Sequence, residues 1–282
     1  RESYVPLADN TGLMHKGYQG VLQSAGLDTL AGVFAFGAGQ RLDKPGLGTR
    51  ERIRLELDIQ GRQVGVYLKR MGQPAWRQWL EGLIKYRKHI PVAMLDFRAA
   101  EQLAQAGVAV PRPIAAGAER GGLREKRSFV MLEELPGADA LERLLPRWEE
   151  AAQTYFLLRD QKELIMQAAA LVRRLHEAGY VHRDLYLSHL FVSREENGQE
   201  RLVLIDLQRV FRPGLRKRRW IVKDLAQLYY SSQMLVTRTQ MLRFARHYFG
   251  DEKLARNRKA LVRAVVRKAR RITQRQQRKR LM

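Results

Sequence analysis

The sequence predicts an α+β protein with a small, strand-rich N-terminal lobe and a helical C-terminal lobe. Two runs, at 50–58 and 62–70, alternate apolar and polar residues as half-buried strands do, and 128–135 is an apolar run of strand length. After Gly137 the apolar spacing becomes that of helices, and the chain stays helical from Trp220 onward. Strands followed by helices are typical of the α+β class.

Four parts are expected along the chain. The sequence predicts a poorly specified N-terminal segment, the lead-in, at 1–36 with one short helix. It predicts the strand-rich lobe, with its connecting strand, at 37–135. Residues 136–250 predict the helical lobe, and 251–282 predict a basic C-terminal helix. A turn at Gly61 joins the first two strands of the N-terminal lobe.

The charge of the chain is concentrated in two segments. The 282 residues contain 52 Lys and Arg against 29 Asp and Glu, a net charge of +23. Residues 208–223 hold seven basic residues and no acidic one, and 253–282 hold thirteen and none. Such segments attract anionic partners, whether nucleic acid, an anionic lipid surface or an acidic substrate. The absence of Cys excludes disulfides and Cys-ligated metal centres and suits a reducing cytoplasm.

The most informative stretch reads H-R-D-x-x-x-x-H, from His182 through Arg183 and Asp184 to His189, and Asp206 ends a later apolar strand. Phosphoryl transfer needs one carboxylate to accept the proton of the attacking hydroxyl and another to hold the metal ion on the nucleotide phosphates. We therefore predict Asp184, with Arg183 beside it, as the catalytic pair and Asp206 as the principal metal ligand. Because imidazole suits Mn²⁺ or zinc better than Mg²⁺, His189 is either a weaker metal ligand or an organiser of the loop.

A lysine at the end of a predicted strand supplies a third function. Lys69 closes the second alternating run, and a strand-borne ammonium behind a glycine-rich turn can bind nucleotide phosphates. A buried ammonium needs a carboxylate to orient it. Asp96 and Glu101 both lie on the helix predicted at 92–106 but on different faces, and we choose Asp96 as the partner. A solvated surface role for Asp96 is the alternative.

Glycines ahead of the first strand are the weaker signal for phosphate binding. Gly37, Gly39, Gly46 and Gly48 are close in sequence, and backbone N–H groups in such turns can cradle phosphates. We assign Gly46 and Gly48 to the nucleotide. The spacing is not G-x-G-x-x-G, however, and a flexible loop has the same composition.

With these residues in place, the chain resembles the lipopolysaccharide core kinases of the Kdo/WaaP family, over roughly 40–250. The family's catalytic loop, H-R-D-x-Y-x-x-H, matches 182–189, and its metal-binding pattern, I-D-L-x-R, matches 205–209. Tyr186 stands where protein kinases usually have a catalytic-loop lysine. The resemblance implies a reduced, bilobal protein-kinase-like fold.

The resemblance also implies roles for residues outside the two motifs. Segment 128–135 is similar to the family's adenine-binding hinge, which assigns Glu133 and Leu135 to the nucleotide. Asp224 corresponds to a residue that braces the catalytic loop. Asp96 stands where the family tends to have Glu, a departure that bears on the distance to Lys69.

The function implied is an ATP-dependent kinase that phosphorylates a heptose or Kdo hydroxyl of the lipopolysaccharide inner core, with Mg²⁺, or alternatively Mn²⁺, as the metal. The expected partner is a lipid-linked acidic saccharide in the cytoplasm, and nucleic acid is not expected. Two alternatives stay open: an atypical RIO-like protein kinase or ATPase bound to RNA, and a nucleotide-binding pseudokinase scaffold. The sequence leaves the oligomeric state undetermined.

The C-terminal segment admits two interpretations. Its apolar residues recur at helical spacing between Leu261 and Ile272, with Arg and Lys on the other faces. Such a helix can dock peripherally on the anionic inner face of the cytoplasmic membrane. Alternatively, the apolar stripe packs on its own domain and the charges are solvated.

Overall fold

The structure is a computed structural model that describes residues 3–42, 50–73, 90–122, 124–195, 197–250 and 255–280. The chain forms two compact units. The first comprises Arg1–Gln102 and Pro111–Leu135, and the second comprises Leu103–Val110 and Pro136–Met282. Strands dominate the first unit and helices dominate the second, which is the α+β organisation that the sequence predicts.

A seven-stranded antiparallel sheet forms the first unit, in the order β1-β2-β6-β7-β5-β4-β3. The strands are β1 (Tyr4–Pro6), β2 (Gly12–His15), β3 (Gln40–Arg41), β4 (Arg50–Ile59), β5 (Arg62–Met71), β6 (Pro113–Gly121) and β7 (Arg124–Glu133). The helices described in this part of the chain are α1 (Gln19–Ser24), α2 (Leu30–Ala35) and α3 (Val92–Gln105).

Alternation along β4 and β5 places one face of the sheet in a hydrophobic core. Val64, Val66 and Leu68 on β5 are buried, and Ile53 and Leu55 face them from β4. Because successive strand residues point to opposite faces, the same register turns the side chains of the intervening positions to the other face. The bounds predicted for these two strands, 50–58 and 62–70, agree with the observed ones to within one residue, whereas the strand predicted at 128–135 is β7, which begins four residues earlier and ends two residues earlier.

The predicted lead-in at 1–36 is instead part of the first unit. Strand β1 pairs with β2, and β2 pairs with β6 inside the large sheet. Gly12 permits this pairing, because a Cβ at that position would lie 2.0 Å from the carbonyl oxygen of Ala116. Strands of three and four residues are too short to show alternation, which is why the sequence indicated only the helix near 16–25.

The second unit combines helices with a three-stranded antiparallel sheet. Its helices are α4 (Leu141–Leu144), α5 (Trp148–Thr154), α6 (Phe156–Arg159), α7 (Gln161–Glu177), α8 (Lys217–Ser232), α9 (Arg238–Phe249) and α10 (Arg256–Arg280). Strands β8 (Asp139–Ala140), β9 (Leu190–Arg194) and β10 (Glu200–Leu204) pair in the order β10-β9-β8. Short 3₁₀ turns at Leu187–His189 and Leu207–Arg209 flank strands β9 and β10 in sequence.

Helix α10 packs its apolar stripe on its own unit. Val265 and Ala269 are 7% and 1% exposed, and the helix lies along α8. Arg263, Arg267 and Arg271 are exposed on its outer face. Of the two interpretations of this segment, the structure therefore supports packing of the stripe within the protein. None of the described helices is long and apolar enough to cross a bilayer.

Candidate active site

Lys69 and Asp96 form an ion pair inside the first unit. Lys69 lies on β5 and Asp96 on α3, and the Nζ–Oδ2 distance is 2.7 Å. The Asp96 side chain is fully buried and that of Lys69 is 17% exposed. The shorter Asp therefore reaches the lysine. The pairing chosen from the sequence over Glu101 is present, and it fixes the ammonium group at the end of a rigid strand.

The end of β7 and the residue that follows it are held by polar contacts of two glutamates, Glu133 and Glu134. Glu133 accepts a hydrogen bond from the Tyr18 hydroxyl at 3.1 Å, and Glu134 accepts from Arg54 Nε at 2.8 Å and from Tyr67 at 2.9 Å. Burial is the main cause that raises the pKa of Tyr18 to about 12, and the negative charge of Glu133 adds to the effect. These contacts give the predicted hinge, which ends at Leu135, a defined backbone path.

The predicted glycines divide between described and undescribed residues. Gly46 and Gly48 lie outside the described residues. Gly39 precedes β3 with φ +98°, a conformation that favours glycine, and a Cβ there would lie 2.8 Å from the Arg54 carbonyl oxygen.

Asp224 anchors the H-R-D loop from beneath. It lies on α8, is fully buried, and accepts the backbone N–H groups of His182 at 2.6 Å and Arg183 at 2.7 Å. His176 Nε2 is 3.3 Å from the same carboxylate, and His176 Nδ1 is 2.7 Å from the Tyr248 hydroxyl. The bracing role that the family resemblance implied for Asp224 is therefore matched by its contacts.

Arg183 sets the shape of the loop through its backbone and its ring contacts. Its φ of +72° is left-handed, which is costly for a non-glycine residue. The Lys223 ammonium donates to its carbonyl oxygen, and its guanidinium lies 5.5 Å from the Phe211 ring and 5.3 Å from the Trp220 ring. These contacts hold the conformation that presents the next residue, Asp184.

The Asp184 carboxylate is surrounded by hydrogen-bond donors. Arg209 Nη1 lies 2.5 Å from Oδ2, and Gln227 Nε2 lies 3.4 Å from Oδ1 while donating to the Tyr186 hydroxyl at 2.9 Å. The side chain keeps 22% of its surface exposed. A carboxylate that is oriented from several sides and still reaches solvent is suited to accept a proton from a bound hydroxyl.

His189 and Asp206 together form a candidate metal site. His189 Nδ1 is 2.6 Å from the carbonyl oxygen of Asp184, and since a carbonyl only accepts, Nδ1 carries the hydrogen. In the neutral imidazole Nε2 then presents a lone pair, 3.6 Å from Asp206 Oδ2. Two electron-pair donors facing one another at this distance suit a shared cation.

The donor set fits a metal ion that arrives with a nucleotide. In the described part of the chain no group of three or more His, Asp or Glu side chains is positioned to hold a metal by itself. Mg²⁺ in kinases is bound by one or two protein groups together with substrate phosphates and water. The Asp206 side chain is 44% exposed, so phosphate oxygens have access to it.

Buried basic groups beneath the catalytic loop of the second unit have lowered pKa values, whereas a cation on its outer side is exposed to solvent. Burial lowers the pKa of His182, whose ring Nε2 lies 3.0 Å from the Ile205 carbonyl oxygen. Burial also lowers the pKa of Lys223, an effect that the nearby Asp184 carboxylate opposes. The interior beneath the loop thus resists additional charge, while Arg209 on the outer side is half exposed.

The structure therefore brings the predicted residues into two groups, one in each unit. Lys69 and Asp96 meet in the first unit, and Asp184, His189 and Asp206 converge in the second. Sequence reasoning gave no role to three residues that contact the catalytic loop: Arg209, Lys223 and Gln227. Their positions in I-D-L-x-R and on the following helix were the available signal.

Comparisons with known proteins identify the family of the chain. Residues 58–248 match the lipopolysaccharide kinase (Kdo/WaaP) family. Lipopolysaccharide core heptose(I) kinase WaaP of Pseudomonas aeruginosa is 31% identical over 235 residues, 81% of this chain and 85% of that protein. The 3-deoxy-D-manno-octulosonic acid kinase of Mannheimia succiniciproducens is 29% identical over 48% of this chain and 51% of that protein.

A solved structure, WaaP in complex with acyl carrier protein, shares the fold. It superposes with a TM-score of 0.61 and 26% sequence identity, covering 86% of this chain and 91% of that one. The family match extends over most of the chain and includes the H-R-D loop, Asp206 and Asp224. The chain belongs to the lipopolysaccharide kinase (Kdo/WaaP) family.

Proposed function

We propose that this protein transfers the γ-phosphate of ATP to a hydroxyl of heptose or Kdo in the lipopolysaccharide core. The observation that carries the proposal is the Asp184 carboxylate, which is oriented by Arg209 and Gln227 on a loop anchored by Asp224. Membership of a kinase family whose named members phosphorylate core sugars supports this acceptor class. Neither an RNA-bound kinase nor an inactive scaffold is favoured.

Asp184 is the proposed general base. It takes the proton of the sugar hydroxyl while the oxygen attacks the γ-phosphorus, and ADP leaves with the electron pair of the broken P–O bond. Arg183 acts as a positioning residue, since its backbone rather than its side chain is tied to the anchor Asp224. Gln227 holds the second carboxylate oxygen. Positioning and charge neutralisation supply most of the rate in such reactions.

In the first unit, Lys69 is proposed to bind the α- and β-phosphates and Asp96 to hold its ammonium group. Glu133, the last residue of β7, and Leu135 just beyond it are proposed to bind adenine through their backbone groups. Gly46 and Gly48 remain proposed phosphate-binding residues. The rigid β5 strand and buried Asp96 leave the ammonium little freedom, which lowers the entropic cost of binding phosphates.

His189 and Asp206 would hold a divalent cation, Mg²⁺ or Mn²⁺. When bound, it neutralises charge on the nucleotide phosphates. The tautomer of His189 is fixed by the Asp184 carbonyl, so the same imidazole also ties the metal site to the base.

The acceptor is proposed to be acidic because a basic segment adjoins the base, and lipid-linked because the family acts on lipopolysaccharide. Segment 208–223 includes Arg209 next to Asp184 and exposed residues at 216–219. Kdo is itself a carboxylate, and phosphorylated or carboxylated saccharides match this charge.

The direct test is phosphate transfer from ATP to fractionated core oligosaccharides, read by mass spectrometry as the gain of one phosphate on heptose or Kdo. Asp184→Asn should lower kcat about 10²–10⁴-fold, because the base is lost, while nucleotide binding changes little. Asp160→Asn, an exposed carboxylate that caps α7, is the matched control. Transfer by Asp184→Asn at the wild-type rate would contradict the assignment.

We further propose an acyl carrier protein as a partner. The second unit contains a partly open apolar cavity of about 590 Å³, lined among others by Leu145, Ile165, Leu190, Leu228 and Val262. A cavity of this size and lining suits an acyl chain. The related WaaP structure contains an acyl carrier protein, and such a protein would deliver the chain.

Thermal unfolding with apo, holo and acylated carrier protein tests this partner. Only the acylated form should raise Tm, by an amount that corresponds to about 2.7 kcal/mol at a hundredfold excess over Kd. Ile165→Trp, which fills the cavity, should abolish the shift. An equal shift from all three forms would show that the cavity is not the acyl site.

We propose that the protein binds the cytoplasmic face of a membrane, and that it does so only through electrostatic attraction between its basic side chains and anionic lipids. The apolar stripe of α10 is packed on the protein, but Arg263, Arg267 and Arg271 are exposed. Vesicle flotation should therefore require anionic lipid and weaken as salt is raised. Charge reversal of these three arginines should abolish it, and binding to neutral vesicles would argue against this mode.

A further inference from the structure

The catalytic loop lacks a cation where the reaction needs one. Negative charge develops on the oxygens of the transferring phosphoryl group, and kinases neutralise it with positively charged side chains and metal ions. Two residues beyond the base, where protein kinases usually have lysine, this chain has Tyr186. The Tyr186 hydroxyl accepts from Gln227, so this side chain faces the base without bringing charge.

Arg209 brings a guanidinium to the Asp184 carboxylate from another segment. It ends the 3₁₀ turn that follows Asp206, and its Nη1 lies 2.5 Å from Asp184 Oδ2. Its side chain is 48% exposed, whereas Asp184 is 22% exposed. A guanidinium has five N–H donors in a planar fork, so contact with one carboxylate oxygen leaves others to face an incoming phosphate.

Two other cations near the loop are committed elsewhere. The Lys223 ammonium donates to the Arg183 carbonyl oxygen, and burial lowers its pKa, which makes it a poorer source of charge. The Arg183 guanidinium lies over the rings of Phe211 and Trp220. Among the described cations around Asp184, Arg209 is thus the one that is both in contact with the base and substantially exposed.

We propose that Arg209 is a catalytic residue that binds the non-bridging oxygens of the γ-phosphoryl group and takes the role that the catalytic-loop lysine has in protein kinases. The inference rests on the proposed kinase function. The hydroxyl proton goes to Asp184, the new O–P bond forms as the bond to ADP breaks, and Arg209 keeps its own protons throughout. Its contact with Asp184 keeps the base and the cation together before ATP binds.

The test measures transfer to the core acceptor with ATP and with ATPγS. Arg209→Ala should lower kcat with ATP about 10²–10³-fold while the KM for ATP changes little. Because sulfur accepts hydrogen bonds poorly, losing the contact should also reduce the ATP/ATPγS rate ratio by at least severalfold. Arg173→Ala is the matched control, since Arg173 is exposed to a similar extent but pairs with Glu177 on α7 instead, and it should keep the wild-type values.

A role confined to holding Asp184 predicts a different result. In that case Arg209→Ala lowers both rates equally and the ATP/ATPγS ratio stays at the wild-type value, which overturns the proposal. Arg209→Gln is measured in parallel, with thermal unfolding of both variants, so that one unfolded variant does not decide the outcome. Wild-type protein without any transfer would contradict the proposed function, whereas active wild type with an unaffected Arg209→Ala contradicts only this inference.

Discussion

Replacing Asp224 by Asn should uncouple the catalytic loop from the helical unit. The Asp224 carboxylate is fully buried and accepts two backbone N–H groups, at 2.6 Å from His182 and 2.7 Å from Arg183. Asn has nearly the same shape but only one accepting oxygen. Its NH₂ group would face the second N–H, so one buried donor is left without an acceptor.

The expected cost follows from that count. One unsatisfied buried donor costs about 1–3 kcal/mol, and Asp224→Ala, which leaves two, should cost about 2–6 kcal/mol. Total stability of a domain is about 5–15 kcal/mol, so the Ala variant approaches the limit of folding. Released from its anchor, Arg183 can leave its left-handed conformation. A displacement of about 1 Å in Asp184 would lower kcat by about 10²-fold.

Urea unfolding and the transfer assay measure the two effects separately. The difference in midpoint multiplied by the m-value gives the change in stability, provided that m is unchanged. Asp160→Asn is the control, because Asp160 also accepts two backbone N–H groups but is exposed at the start of α7, where Asn caps equally well. If Asp224→Asn loses less than about 0.5 kcal/mol and keeps its kcat, the anchoring argument fails.

Three further predictions concern other parts of the molecule. Lys69→Met should destabilise the fold by about 3–5 kcal/mol in urea unfolding, because Asp96 is left buried without its partner, and adding Asp96→Leu should restore stability without restoring transfer. Burial lowers the pKa of His182 below its ordinary 6.5, so the unfolded chain takes up the proton first. The contribution of His182 to the free energy of unfolding should therefore be complete above pH 6.5 and be lost as the pH falls below that value. His182→Gln should make the free energy of unfolding depend less steeply on pH in this range. Gly12→Ala should lower Tm because its Cβ meets a backbone oxygen at 2.0 Å, whereas Gly20→Ala in open space on α1 should gain about 0.5–1 kcal/mol.

Each of these has an outcome that would count against it. A double variant at 69 and 96 that is no more stable than Lys69→Met would show that the two side chains are not coupled. An unchanged pH slope in His182→Gln would assign the slope to other groups. Equal Tm values for the Gly12 and Gly20 variants would mean that the β2–β6 contact can relax.

Site residues could be predicted from the sequence where a chemical requirement coincides with a local pattern. Asp184, His189 and Asp206 were found because each stands in a short motif at the end of a strand or in a loop. Lys69 and Asp96 were paired across 27 residues because a buried ammonium needs a carboxylate and the helix predicted at 92–106 offers only two. The chemistry required of each side chain, rather than closeness along the chain, identified these residues.

Contacts that neither a motif nor a charge requirement identifies could not be predicted, for a physical reason. Arg209 touches Asp184 across 25 residues, and no periodicity links the two positions. A helix that lies on a membrane and a helix that packs on α8 have the same amphipathic sequence pattern. Periodicity therefore identified the apolar face of α10 but not what covers it. Strand β6 was missed because Pro113–Gly121 begins with consecutive buried residues and shows no alternation.

Two strained residues explain why the catalytic loop needs so many anchors. Arg183 and Asp206, one in each motif, have φ of +72° and +60°. Such conformations cost about 1–3 kcal/mol each and persist only where surrounding contacts offset that cost. The two segments are also tied to one another, because Ile205 N–H donates to the His189 carbonyl at 3.0 Å and His182 Nε2 lies 3.0 Å from the Ile205 carbonyl. A base and a metal ligand that must sit close together thus share one hydrogen-bonded frame. A substitution that relaxes either strained residue should therefore disturb both functions at once.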